Sequence, residues 1–300
     1  MNDFVNQGCD TRTALTRVLK KYRKAAKAAG MDLLHRQAPE SLHDVRVVTR
    51  RARSILKQSE GIVREKYRRR LSKCLREFGD RTNLARDIEV FLADLPRYQQ
   101  QLPEQSQVFL QQLEQSLQQQ LQQEEDSIRQ QIIGKKFRRM LKIWKDCLRG
   151  KLFKQQNVTS GKDSIGDWSR IKTSELLHAM VDDSTHLACS GSDKDLHAFR
   201  IDAKKLRYWV TEFEFLLSEQ DRQLFLSHLE KIQQELGRFQ DISSQLRQLP
   251  IRSQAESLQA AQPLIELLQQ LHVQQGARCK PLISEFIALP QIQRLMAEDV

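Results

Sequence analysis

A run of eleven residues appears twice in this chain, 154 positions apart, in a spacing that only a helix makes sense of. His43-Asp-Val-Arg46-Val-Val-Thr-Arg50-Arg51-Ala-Arg53 returns as His197-Ala-Phe-Arg200-Ile-Asp-Ala-Lys204-Lys205-Leu-Arg207. Both copies read H-x-x-R-x-x-x-[RK]-[RK]-x-R. The same offset carries Asp87-Ile88 onto Asp241-Ile242 and Leu75 onto Leu229. It also carries Leu110, Leu113 and Leu117 onto Leu264, Leu267 and Leu271. A register held over about 75 residues indicates two copies of one helical unit. Asn83 falls opposite Gly237. Both residue types tolerate the left-handed conformation of a helix C-cap, so a helix end is expected there in each copy.

At about 100° per residue, His43, Arg46, Arg50, Arg53 and Lys57 lie within an arc of about 80°. Val45, Val48, Ala52, Ile55 and Leu56 lie opposite. In the second copy His197, Arg200, Lys204 and Arg207 share the polar arc, and Phe199, Leu206, Trp209, Val210 and Phe213 the apolar one. The next helix carries a further basic row, Lys66, Arg69, Lys73 and Arg76, opposite Tyr67, Leu71 and Leu75. Like charges one turn apart cost about a few tenths of a kcal/mol per pair. A merely solvated face would interleave acids, and Asp44 and Asp202 are nearly alone inside these motifs. The stripe therefore suits successive phosphates, one helical turn per row.

The rest of the chain agrees with helices. Gly is 11 and Pro 7 of 300 residues, roughly half the usual usage of about 7% and 5%. So few turn formers argue against barrels, sandwiches and loop-rich α/β enzymes. An amphipathic segment begins at Leu15, Val18, Leu19 and Tyr22 and is expected to end near Gly30. Ser41, followed by Asp44, reads as the N-cap of a helix reaching about Ser59. A third helix is expected from Ile62 to Phe78, a Gln-rich one after Pro103, and another around Phe137, Leu141, Trp144 and Leu148. The aperiodic stretch between Gly150 and Asp167 reads as a linker. A helix from Trp168, a break at Ser190-Gly-Ser-Asp193 and further helices then repeat the theme.

The net charge is +11, and it is clustered. Twelve basic residues against two acidic ones lie between Arg46 and Arg76, nine against one from Lys135 to Lys154, and seven against none from Arg12 to Lys27. Such a field draws a polyanion: nucleic acid, an anionic membrane or a phosphate polymer. No stretch approaches about 18 uncharged apolar residues, so no helix is expected to span a membrane. The N-terminus lacks the basic-then-apolar pattern of a secretory signal. Cys9, Cys74, Cys147, Cys189 and Cys279 are odd in number and widely spaced, which fits neither a disulfide framework nor a CxxC metal site. A reducing cytoplasmic setting is expected.

At these residues the chain resembles the CHAD family, the conserved histidine α-helical domain. The two half-motifs are similar to its signature helices. Leu236-Gly-Arg-Phe-Gln-Asp241 and Ala85-Arg86-Asp87-Ile88-Glu89-Val90 are similar to its secondary motifs. The resemblance runs from about Thr11 to the C-terminus. It implies an all-α fold of two pseudo-twofold-related helical bundle repeats, 1–152 and 168–300, joined by 153–167 into one domain with a central basic channel. It also implies binding of long-chain inorganic polyphosphate, with some members at polyphosphate granules. By matching position, the contacts would come from His43, Arg46, Arg50, Arg51, Arg53, His197, Arg200, Lys204, Lys205 and Arg207. The helical wheel adds Lys57, Arg69, Lys73 and Arg76. Asn83 departs from the second copy's Gly237, which sets Arg86 apart from these contacts.

No motif supports catalysis: there is no Walker A loop, strand-borne GxGxxG, HExxH or GxSxG. Glu212-Phe-Glu214-Phe-Leu216 lacks the Lys of a triphosphate-processing ExExK strand. His43 and His197 have no second His or carboxylate one turn away on their face, and neighbouring arginines repel a cation, so neither metal nor cofactor is expected. Nucleic acid is the rival ligand, since basic helices hold phosphates whatever joins them. Single-strand binders interleave stacking aromatics, however, and here Phe199, Trp209 and Phe213 sit on the apolar arc. An anionic membrane ranks third, because the basic faces lack Trp or Phe to insert. The expectation is a non-enzymatic polyphosphate-binding module, with RNA-backbone binding as the alternative.

Overall fold

The computed structural model describes residues 6–36, 39–149, 152–153, 164–190, 192–252 and 258–297. The first copy comprises α1 (Thr11–Arg36), α2 (Pro39–Gln58), α3 (Glu65–Arg81), α4 (Asn83–Gln99), α5 (Gln107–Ile133) and α6 (Lys135–Arg149). The second comprises α7 (Ile165–Ser190), α8 (Asp193–Glu212), α9 (Glu219–Arg252), α10 (Leu258–Ile287) and α11 (Pro290–Ala297). Among the described residues the only β-type pairings are two isolated bridges.

Adding 154 to the bounds of α1 and α2 returns those of α7 and α8 residue for residue. α9 starts at the counterpart of the start of α3, and α10 ends at the counterpart of the end of α5. The periodicity of the apolar residues, and not the motif alone, is thus repeated along the chain. Local capping repeats as well. The Asp10 carboxylate accepts from the Thr13 N–H at 2.9 Å, and the Ser164 hydroxyl, 154 residues on, accepts from the Asp167 N–H at 3.1 Å. Asp10 and Ser164 also bridge to each other, and the Ile165 N–H donates to the Cys9 carbonyl at 2.8 Å. A residue that meets its own counterpart lies where a twofold axis between the halves would pass.

Two hydrophobic cores hold the helices, and both draw on the two copies. The larger joins Leu15, Leu19, Ile55 and Leu71 of the first copy to Phe199, Trp209, Phe225 and Phe286 of the second. Trp209 lies edge-on to Trp168 at 5.1 Å and 4.5 Å from Phe213, and its indole N–H donates to the Ser169 carbonyl. The smaller core packs α4 and α5, through Phe91, Leu95, Leu110 and Leu117, against Leu249, Leu264 and Leu268. Neither half closes a core alone.

Several boundaries differ from expectation. α1 does not stop near Gly30 but runs to Arg36. Gly30 serves packing, since a Cβ there would meet the Phe137 ring at 2.5 Å. α2 begins at Pro39, so Ser41 lies within its first turn and is not its N-cap; a proline is well suited to that first helical position. α3 spans Glu65–Arg81 rather than starting at Ile62, after a turn at Gly61 with φ +82°. α7 starts at Ile165, three residues before Trp168. Most of the expected linker, 154–163, lies outside the described residues. The expected left-handed caps are absent: Thr82 separates α3 from α4 in a right-handed conformation, and Gly237 sits inside the unbroken α9.

Candidate functional site

α2 and α8 lie side by side between the halves, each carrying one copy of the motif. Their apolar arcs face the core as the wheel requires: Val45, Ala52, Ile55 and Leu56 on α2, and Phe199, Leu206, Trp209 and Val210 on α8, are all fully buried. The basic arcs are thereby forced toward one another. Arg50 is the counterpart of Lys204, and its positive charge acts on both Lys204 and Arg200. On one flank the Arg51 guanidinium lies 5.7 Å from the centre of the Tyr208 ring. The charge of Lys205, itself held by an ion pair to Asp202, and then burial lower the Lys57 ammonium below its usual range.

An open cleft of about 360 Å³, solvent at its mouth included, is lined by Arg46, Thr49, Arg50 and Arg53 from α2 and by Leu75, Gly79, Asp80 and Asn83 from the α3–α4 corner. Gly79 has nothing within 4 Å of where a Cβ would be. At its floor Arg46, only 8% exposed, donates to the Thr82 hydroxyl and, at 3.2 Å, to the Asn83 side-chain oxygen. These bonds fall at the break between α3 and α4. The counterparts of Thr82 and Asn83 are Leu236 and Gly237, which offer no side-chain acceptor, and in the second copy the helix runs on. There Arg200 is balanced by Asp241, as Arg46 is by Glu89 and then Asp87. Asp87 also accepts from Ser244 and Gln248, tying α4 to α9.

The electrostatics are those of an under-neutralised site. Burial pushes Arg46 and Arg200 below the usual guanidinium range, with Arg50 adding repulsion to each. Burial, then Arg200, Arg50 and Arg207, lower the Lys204 ammonium to about 7, and Asp241 offsets this only in part. The Nε atoms of Arg51 and Arg200 are buried without a hydrogen-bond partner. Burial also raises Asp87 and Asp241 above the usual carboxylate range, and the neighbouring cations, Arg46 for Asp87 and Arg200 for Asp241 first among them, pull them back only in part. A ligand with several negative oxygens would relieve the cations together.

The remaining expected residues are placed more peripherally. Arg207 donates to the Gln233 side chain at 3.0 Å and lies 3.9 Å from Glu230. Arg69, on the outer face of α3, is ion-paired to Glu65, and Lys73 and Arg76 are exposed on the same helix. His43 is exposed on α2. His197 is exposed on α8, with Nδ1 2.7 Å from the Gln240 side-chain oxygen. Arg86, set apart in the sequence, is exposed and paired to Glu89 at 3.1 Å. Sequence reasoning missed Asp87 and Asp241 as counter-ions of the motif arginines. The shared offset had already paired them with each other, but only the packing of α4 and α9 brings them to Arg46 and Arg200. Among the described residues no group of three or more His, Cys, Asp or Glu could hold a metal ion, and no helix is long and apolar enough to cross a membrane.

These features define an all-helical protein with two adjacent motif-bearing helices and a basic cleft beside the first of them. The CHAD domain family model matches residues 13–250, and the chain belongs to that family. Its fold is similar to the crystal structure of the CHAD domain from the plant Ricinus communis, with a TM-score of 0.78 at 20% identity, over 95% of this chain and 94% of that one. It is also similar to PptA from Streptomyces chartreusis, with a TM-score of 0.67 at 15% identity, over 95% and 100% of the two chains. At these identities the likeness concerns the fold. No curated protein matches the chain.

Proposed function

We propose that this protein binds inorganic polyphosphate, without catalysing its turnover, in the basic cleft beside α2, with the α8 motif next to it. The observation that carries this reading is the confrontation of the two copies. Arg46, Arg50 and Arg53 on one helix and Arg200, Lys204 and Arg207 on the other converge with two half-buried carboxylates, Asp87 and Asp241, against them. Membership of the CHAD family supports it. A linear chain of phosphates supplies negative oxygens at every unit and needs no aromatic platform. That matches a cleft with no aromatic side chain in its lining. On this reading the partner is the polymer itself, free in the cytoplasm or condensed in granules, and nucleic acid is a competitor for the same phosphate contacts.

The test is a competition titration with long-chain polyphosphate, RNA and heparin at one salt concentration. It uses the wild type and the variant Arg50→Gln, Arg53→Gln, Lys204→Gln and Arg207→Gln. Polyphosphate should win in the wild type and lose nearly all affinity in the variant, while helicity by circular dichroism is retained. The logarithm of the wild-type affinity should fall steeply with the logarithm of salt. Normal polyphosphate binding by the variant, or preference for RNA in the wild type, refutes the reading.

A further inference from the structure

The two copies share a fold but not an outer surface. α1, α3 and α6 together carry 22 Lys and Arg against five Asp and Glu. Their counterparts, α7, residues 219–235 of α9, and α11, carry five against eight. The charge surplus of the whole chain therefore lies on the outer layer of the first copy. The fold itself does not require it, because the second copy closes the same layer without it.

This layer is continuous with the cleft. On α3, Leu75 and Gly79 line the cleft, while Phe78, 5.6 Å from Phe137, faces α6. Taking about 100° per residue, the solvent side of α3 from the cleft edge to the α6 edge passes over Arg76, then Lys73, then Arg70. Arg70 and Arg139 of α6 both act on Cys74 at the junction of the two helices. Beyond Arg139, the exposed side of α6 presents Lys142, Arg149 and Lys145 in turn. The opposite side of α6, with Phe137, Met140, Ile143, Trp144 and Cys147, is buried. Arg23 of α1 donates to the Leu141 carbonyl at 3.1 Å and closes the layer. Among the described residues, Arg70, Lys73, Arg76, Arg139, Lys142, Lys145 and Arg149 make no ion pair, and none of the large exposed apolar side chains lies on α3 or α6.

We infer that this face is a track for the portion of a long polyphosphate chain that emerges from the cleft. It leads from Arg76 over α3 onto α6 and makes binding both length-dependent and one-sided. The inference rests on the proposed ligand and adds where the chain leaves and what selects its length. Without large exposed apolar groups, the track offers neither base stacking nor membrane insertion, only cations for phosphate oxygens, in excess over the exposed Glu77, Asp80 and Asp146 that share the face.

The test is a series of size-fractionated polyphosphates, from chains that fill only the cleft to chains several times longer. It is run on the wild type and on Arg139→Gln, Lys142→Gln, Lys145→Gln and Arg149→Gln combined. The expected result is unchanged affinity for short chains and loss of the added affinity for long ones. The salt slope for long chains should fall by about 3, at about 0.7 for each of four removed contacts. Arg70→Gln alone should give the same signature at about a quarter of the size, so misfolding of one variant does not decide the matter. Unchanged length dependence in both variants overturns the track alone. A loss confined to RNA overturns it in favour of a nucleic-acid surface. Absence of polyphosphate binding in the wild type overturns this inference together with the function it rests on.

Discussion

Lys204 gives the sharpest prediction. Its ammonium is held at about 7 by burial and by Arg200, Arg50 and Arg207, against an ordinary lysine value of 10.5. At about 1.36 kcal/mol per pH unit the full displacement would cost nearly 5 kcal/mol. Solvent reaches this half-buried group, and screening reduces a realistic figure to about 2 kcal/mol. The sign follows from proton linkage. Because the folded state holds this proton less tightly than the unfolded one, the cost is complete below pH 7 and fades as pH rises toward 10.5. Lys204→Met, of similar length and uncharged, should therefore melt about 4 °C above the wild type at pH 7 without ligand, with most of that gain gone by pH 10. Bound phosphates favour the ammonium, so wild-type polyphosphate affinity should rise as pH falls from 9 to 7, and the Met variant should show a flatter profile. Calorimetric melting at both pH values and titration across that range test this. A variant no more stable than the wild type at pH 7, or an equal stability difference at both pH values, would refute the reasoning.

Asp241→Asn removes a carboxylate that burial holds above its usual range despite Arg200 and Lys204, so it should raise the urea midpoint at pH 7, with the gain fading as pH falls below the unfolded carboxylate range at about 4. A lowered midpoint would mean that its pairing with Arg200 outweighs its burial. Gly30→Ala places a methyl against the Phe137 ring and should destabilise by about 1–3 kcal/mol in chemical denaturation. Gly237→Ala, in open space within α9, should stabilise by about 1 kcal/mol from helix propensity. The two glycines thus predict opposite signs in one assay.

The two motif helices were legible because a helix with one apolar face can bury it in only one direction. Val45, Ile55, Phe199 and Trp209 went to the core, and Arg46, Arg50, Arg200 and Lys204 went to the opposite side. The 154-residue register was equally legible, since apolar spacing survives in a sequence even where other residues diverge. Helix ends were read less well. Gly30 looks like a stop in isolation, and it continues as helix because the Phe137 ring needs the space where its Cβ would be. Asn83 and Gly237 look like caps, yet one helix breaks at Thr82, which receives Arg46, while Gly237 lies in an unbroken one.

Sequence alone determined the all-helical class, the duplication and the polarity of each helix, because these depend on near neighbours along the chain and on periodicity. Tertiary structure decided which basic residues share a site, which carboxylates balance them and which are left under-neutralised. Arg50 meets Lys204 and Asp241 meets Arg200 across separations of 154 and 41 residues, and the field at a buried cation is the sum over everything packed around it. No local pattern contains that sum.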